Sequence, residues 1–270
     1  MKKIFLPLFL LISLPSFSQM NIYTILHLNE KDYDYKTKIP KEVYETRKSY
    51  NSDKTYTSKT TKYYDASGML EREDRFNSDG DLESFLTYVN DTVNRIKLSR
   101  TYVHLGKYTK KQETAEYIYN NGQLVKVLDK DKNQNIYFTT EIRNDSKGNP
   151  IVIYGYSSNG SLYGRETAEY NYENNTVITS VFSNDSKLLS TKVNWITFEN
   201  TKKDCFYNEN KDLIKWKYIN LNNKETLYEA EYEYDKSGNI IEEKIYKVTL
   251  KPDGKREKKI DKNNKRKYKY

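Results

Sequence analysis

The chain has 270 residues, with 46 Lys or Arg against 38 Asp or Glu, a formal net charge of +8, a mean hydropathy of −0.96 and one cysteine. A single thiol excludes an internal disulfide, so stability must come from sheet hydrogen bonds and apolar burial. Low hydropathy alone would suggest disorder, yet 27 Tyr, 9 Phe and 2 Trp supply the aromatic area that disordered chains lack. Tyrosine suits a thin sheet, because it favours strands and can lie half-buried with its hydroxyl in water.

The first segment, 1–18, has Lys2 and Lys3, an apolar run from position 4 to 12, and then Leu14-Pro15-Ser16-Phe17-Ser18. That order of charged, apolar and small residues is the pattern of a secretory signal, with cleavage expected near Ser18. The apolar run is shorter than the roughly 20 residues that span a bilayer, and no later stretch approaches that length. With no cysteine at the cleavage region to carry a lipid, the mature chain is expected to be exported, periplasmic or extracellular, without a transmembrane segment. Residues 19–60 read as a divergent N-terminal capping segment, broken at Ile39-Pro40.

From 61 to 250 the sequence is punctuated by turns: Asp65-Ala66-Ser67-Gly68, Asn77-Ser78-Asp79-Gly80, Asn120-Asn121-Gly122, Asp145-Ser146-Lys147-Gly148, Ser157-Ser158-Asn159-Gly160 and Asp235-Lys236-Ser237-Gly238. Glycine supplies the positive φ of tight hairpins, and Asp, Asn and Ser bond back to the local backbone. Gly68 to Gly80 and Gly148 to Gly160 are both 12 residues apart, which leaves strands of roughly 8 residues. Runs such as Thr176-Val177-Ile178-Thr179-Ser180-Val181-Phe182 lie between turns, and none has a sustained helical period. The prediction is an all-β, antiparallel meander of repeated hairpins, as an open twisted sheet, a half-barrel or a short spiral. A longer period overlies it: Ala115-Glu116-Tyr117, Ala168-Glu169-Tyr170 and Ala230-Glu231-Tyr232 are spaced by 53 and 62 residues, marking blocks of about four strands.

Two of these stretches, Tyr232-Glu233-Tyr234-Asp235-Lys236-Ser237-Gly238-Asn239-Ile240 and Tyr63-Tyr64-Asp65-Ala66-Ser67-Gly68-Met69-Leu70, resemble the tyrosine–aspartate (YD) repeat of Rhs-type wall and surface proteins. Tyr117-Ile118-Tyr119-Asn120-Asn121-Gly122-Gln123-Leu124 is a shorter copy. The resemblance runs roughly from 63 to 251. It implies strips of β-hairpins that in that family wind into a shell.

The last segment, 251–270, holds ten Lys or Arg against Asp253, Glu257 and Asp261. With little apolar content, it reads as a basic, disordered tail on an almost neutral body. Export makes nucleic acid an unsuitable partner for it, and an envelope protein or polysaccharide is expected instead.

Catalytic chemistry has little to stand on. His27 and His104 lie far apart without a partner at ligand spacing, and Cys205 reads as a small filler. Asp129-Lys130-Asp131-Lys132-Asn133-Gln134-Asn135 imitates the start of a calcium loop, but Gln134 and Thr140 stand where glycine and glutamate are required. The pairs Glu71 with Glu73 and Glu242 with Glu243 read as solvated strand faces. No catalytic, cofactor or metal site is expected. The leading function is a non-enzymatic interaction or structural scaffold. A glycan-binding module is the alternative, with Tyr154, Tyr156, Trp216 and Tyr218 as first candidates because Tyr154-Gly155-Tyr156 and Trp216-Lys217-Tyr218 recur in register. A cryptic hydrolase is the third.

Overall fold

The computed structural model describes residues 20–270 apart from 30–34, 36–37, 52–53, 107–109, 174–175, 196–204, 220, 223 and 252. The expected signal segment, 1–18, lies outside the described residues. A short helix, α1 (Ile22–Leu26), precedes strands β1 (Glu42–Tyr50), β2 (Thr55–Tyr64), β3 (Leu70–Phe76), β4 (Leu82–Asp91), β5 (Ile96–Leu105), β6 (Lys110–Asn120), β7 (Gln123–Lys130), β8 (Ile136–Asn144) and β9 (Pro150–Ser157). There follow β10 (Leu162–Asn171), β11 (Thr176–Ser183), β12 (Leu188–Trp195), β13 (Phe206–Tyr207), β14 (Leu213–Ile219), β15 (Glu225–Tyr234), β16 (Ile240–Leu250) and β17 (Arg256–Lys269).

One loop design recurs between strands. In the first, the Asp65 carboxylate oxygen Oδ1 accepts the Ser67 and Met69 N–H groups at 2.8 and 2.9 Å, while Gly68 takes φ +80° and donates its N–H to the Asp65 carbonyl. Asp145 and Asp235 repeat it with Gly148 and Gly238. At Gly80 the anchoring side chain is Asn77, whose Oδ1 accepts the Asp79 and Asp81 N–H groups. Gly160 closes a turn held by Ser157 and Asn159. Asn121 and Gly122, both at positive φ, form a two-residue hairpin instead. Three further loops of the recurring kind put Gln134, Ser186 and Lys211 at the positive-φ position.

All 17 strands belong to one sheet and every ladder is antiparallel. Consecutive strands pair from β1 to β12 and again from β13 to β17, and β1 also pairs with β17. Among the described residues no ladder joins β12 to β13, so the sheet is rolled without closing into a barrel. Following the antiparallel pairings from β13 round to β12 gives an even number of reversals, so these two strands run the same way. The edges still come near each other: the Tyr218 hydroxyl on β14 donates to the Val193 carbonyl on β12 at 3.0 Å.

Partners across a ladder share a face and neighbours along a strand alternate, so register sorts the side chains into two sets. The inner face buries two clusters. Ala115, Tyr117, Leu124, Val127, Ile142 and Ile153 receive Met20, Ile22 and Ile25 of the α1 segment, whose Ile22 N–H donates to the inward carboxylate of Glu166 at 3.0 Å. Val43, Tyr64 and Leu70 form the second, against Tyr35, Tyr88 and Tyr268. On the outer face cations lie on rings: Arg72 on Phe85 at 4.5 Å, Arg165 on Phe182 at 4.7 Å and Arg143 on Tyr154 at 5.1 Å.

The expectation of a disordered tail over 251–270 is corrected by β17, a 14-residue strand laddered to both β16 and β1. Its cations meet acids that lie far away in sequence. Arg266 Nε donates to Glu45 at 3.0 Å with both side chains 5% exposed, and its Nη2 lies 3.4 Å from Glu243. On the other face Lys258 meets Glu229 at 2.9 Å, Lys265 meets Glu242 at 3.4 Å and Lys269 meets Glu42 at 2.6 Å. The boundary at 61 moves as well, since β1 sits inside the sheet between β2 and β17. The sheet therefore runs from Glu42 to Lys269.

Candidate functional site

The four aromatics singled out from sequence do not form one row. Register puts Tyr154 and Tyr156 on the outer face, where the Arg143 guanidinium covers the Tyr154 ring. Trp216 and Tyr218 point inward; Trp216 stacks on Tyr228 at 5.3 Å with 10° between planes, and Tyr218 bonds across the sheet's edge. His27 donates from Nδ1 to the Tyr23 carbonyl at 2.7 Å, and His104 stacks on Tyr102. Glu242 and Glu243 point to opposite faces, toward Lys265 and Arg266. In the calcium-like stretch, the Asp131 carboxylate accepts the Asn133 and Asn135 N–H groups as a hairpin turn does, and hydrogen bonds to the ionised form hold it below the usual carboxylate range. Among the described residues no group of three or more His, Cys, Asp or Glu is placed to hold a metal.

Two cavities open on the inner face among the described residues. The larger, about 680 Å³, lies beneath α1 against β8 to β12, lined by Phe138, Tyr163, Thr179, Val181, Ser190 and Lys192 among others. Here Gly155 makes room for a ring: a Cβ added to it would sit 2.5 Å from Phe138 Cζ. The smaller, about 270 Å³, lies over β3 to β6 and is lined by Arg75, Leu86, Arg100, Tyr102, Lys111, Glu113 and Ala115. Arg75 is held by Glu73 at 2.6 Å and Lys111 by Glu113 at 2.5 Å, with both cations substantially exposed, so they stand on the solvent side of the cavity.

The floor of the smaller cavity departs from the repeat. Ala115 on β6 is flanked in register by Arg100 on β5 and Asp129 on β7. The aligned alanines of the later blocks have Thr179 and Ile245 where Asp129 stands here. Asp129 is only 2% exposed, and its Oδ1 makes no hydrogen bond among the described residues; nor does Arg100 Nε or the buried Tyr117 hydroxyl. The aligned hydroxyls of Tyr170 and Tyr232 do find partners, the carbonyls of Pro150 and Leu213, at 2.6 and 2.8 Å. Burial raises the Asp129 carboxyl to about 6 against the opposing pull of Arg100, and burial pushes the Tyr117 hydroxyl up to about 12. Native proteins pair nearly all buried polar groups, so these three atoms are exceptions within the sheet, and of the three residues only Arg100 lines the smaller cavity. In sequence Asp129 only opens the stretch that imitates a calcium loop. Only the β6–β7 register reveals that its side chain points inward.

Fold and geometry together define an all-β protein: one rolled antiparallel sheet of hairpins with a short helix docked on its inner face. No protein-family model matches the chain, and no curated protein matches it. Among solved structures it is similar to a porin-like protein from Bacteroides uniformis, at 12% identity over 87% of this chain and 100% of the other, with a TM-score of 0.48. It is also similar to part of a TcdB2–TccC3–TEV structure, at 15% identity over 75% of this chain and 10% of that one, TM-score 0.33. A third is the Tc holotoxin pore of Photorhabdus luminescens, at 12% identity over 72% of this chain and 14% of that one, TM-score 0.20. No helix among the described residues is long and apolar enough to cross a membrane.

Proposed function

We propose that the chain is an exported, non-enzymatic protein of degenerate YD-type hairpin repeats that acts as an interaction or structural scaffold in the bacterial envelope or outside the cell. The observation that carries this reading is the β1–β17 ladder with its buried Arg266–Glu45 contact, which joins both ends of the described sheet into one self-supporting wall. A wall of this kind presents a broad outer face on which cation and ring pairs recur, a chemistry suited to many weak contacts with an acidic envelope polymer or protein.

Two measurements test it together. Cells expressing the full chain are fractionated and the N-terminus of the accumulated protein is mapped by mass spectrometry, with processing expected near Ser18 and recovery outside the cytoplasm. The purified mature chain is then titrated with an envelope preparation in rising salt. Saturable association that weakens with salt fits the reading, because exposed charges are screened within about 10 Å at 0.1 M. Unprocessed cytoplasmic protein, or no association at low salt, refutes it.

A further inference from the structure

We propose that the 680 Å³ cavity beneath α1 binds a long-chain fatty acid, its chain over the apolar lining and its carboxylate at Lys192. The volume falls within the range of about 300–1,000 Å³ usual for small-molecule sites. Met20, Thr140 and Ile153 line the cavity and are buried. Tyr23, Tyr163 and Leu189 line it too, yet they stay 39%, 40% and 54% exposed. Large apolar side chains that surround a cavity and remain in water mark a surface that a ligand covers.

The sheet makes this space by omitting side chains. Of the ten glycines, only Gly155 and Gly164 lie inside described strands, and they are register partners on β9 and β10. Glycine within a strand weakens it and often marks a bulge or the close approach of a ligand. Phe138 lies over Gly155 and meets the edge of Tyr163, with 5.9 Å between ring centres. Gly164, beside a register shift, faces the small Ser183 on β11. In the neighbouring blocks the same rung, four residues before the aligned alanine, pairs His104 with Lys111 and Tyr218 with Thr226.

The polar groups of the cavity divide into an engaged acid and an available cation. Glu166 accepts the Ile22 N–H at 3.0 Å and the Thr179 hydroxyl. Lys192 has no acid within 4 Å among the described residues. It stands between Ser190 and Asn194 on the inward face of β12, beside the open seam of the sheet. A carboxylate there takes a charge-assisted hydrogen bond from the ammonium, with the serine hydroxyl and the asparagine amide as further donors. A cationic head group meets Lys192 as a like charge and finds Glu166 already engaged.

The test is equilibrium dialysis of the purified mature chain against radiolabelled palmitate below its micellar concentration, with hexadecanol, hexadecylamine and acetate as competitors. Saturable binding of palmitate is expected, at least about tenfold tighter than hexadecanol or hexadecylamine, equivalent to about 1.4 kcal/mol, and unaffected by acetate. Lys192→Met removes the preference for palmitate over hexadecanol. Val181→Trp, which fills the cavity, and Leu189→Glu, which places a like charge at its exposed rim, each weaken palmitate by a factor of about ten or more. Far-ultraviolet circular dichroism and melting follow the fold of each variant, and Leu189→Glu carries the test where Val181→Trp does not fold. No saturable palmitate binding overturns the proposal. So does hexadecylamine competing as well as palmitate, which would define a non-specific apolar surface, and so does palmitate binding that persists unchanged in Leu189→Glu and Lys192→Met.

Discussion

Replacing Asp129 by Asn should stabilise the protein at neutral pH. The carboxyl is buried, its ordinary value of 3.8 is raised to about 6 chiefly by burial, and Oδ1 has no donor among the described residues. A native value above the unfolded one means that the folded state holds the proton more tightly. The charged form is therefore a burden that is absent below pH 4, grows between about 4 and 6, and is complete above that. A rise from 3.8 to about 6 corresponds to about 3 kcal/mol. Asparagine keeps the shape but leaves an amide to satisfy, which returns about 1 kcal/mol of the gain. The expected net is about 2 kcal/mol in favour of the variant at pH 7.5, shrinking toward zero or slightly below by pH 4. Urea unfolding of parent and variant, followed by tryptophan fluorescence, measures it at the two pH values, and the other carboxylates cancel in the comparison. A variant less stable than its parent at pH 7.5, or an advantage that does not change with pH, would show that the Asp129 carboxylate is compensated in the native state.

Arg266→Met strips the buried Glu45 carboxylate of its closest cation, leaving it only the largely exposed Arg47, so it should lower stability by about 2–4 kcal/mol in urea titration; a loss under about 1 kcal/mol would place the contact among weak surface pairs. Deleting 251–270 removes β17 and exposes the ladder edges of β1 and β16, and the truncated chain should lose its cooperative thermal transition. Unchanged melting would restore the view of that segment as a tail. Gly155→Ala drives a methyl into Phe138 and should cost about 1–3 kcal/mol, with Phe138→Leu in the same chain recovering most of it.

Much of this architecture was legible from glycine and tyrosine alone. Turns ending in Gly68, Gly80, Gly148, Gly160 and Gly238 give the strand length and the antiparallel order, because positive φ at a fixed offset from Asp, Asn or Ser has few other uses. The loops at Gln134, Ser186 and Lys211 were harder, since a side chain occupies the strained position and only the leading Asp131, Ser183 or Asn208 betrays them. What sequence conceals is the company each strand keeps. The lysines of β17 look unopposed because their acids lie on β1, β15 and β16, and Arg266 to Glu45 spans 221 residues. Asp129 looks solvated for the same reason, until its partners across two ladders are known.

The ladder between β1 and β17 also sets a schedule. A hairpin can form as soon as its two strands exist, but β1 keeps one edge unsatisfied until β17 is available, and Lys269 must find Glu42 across 227 positions. Contacts of that separation are the slow ones to close. A chain emerging N-terminus first thus holds partly assembled hairpins and completes this ladder only once β17 has formed.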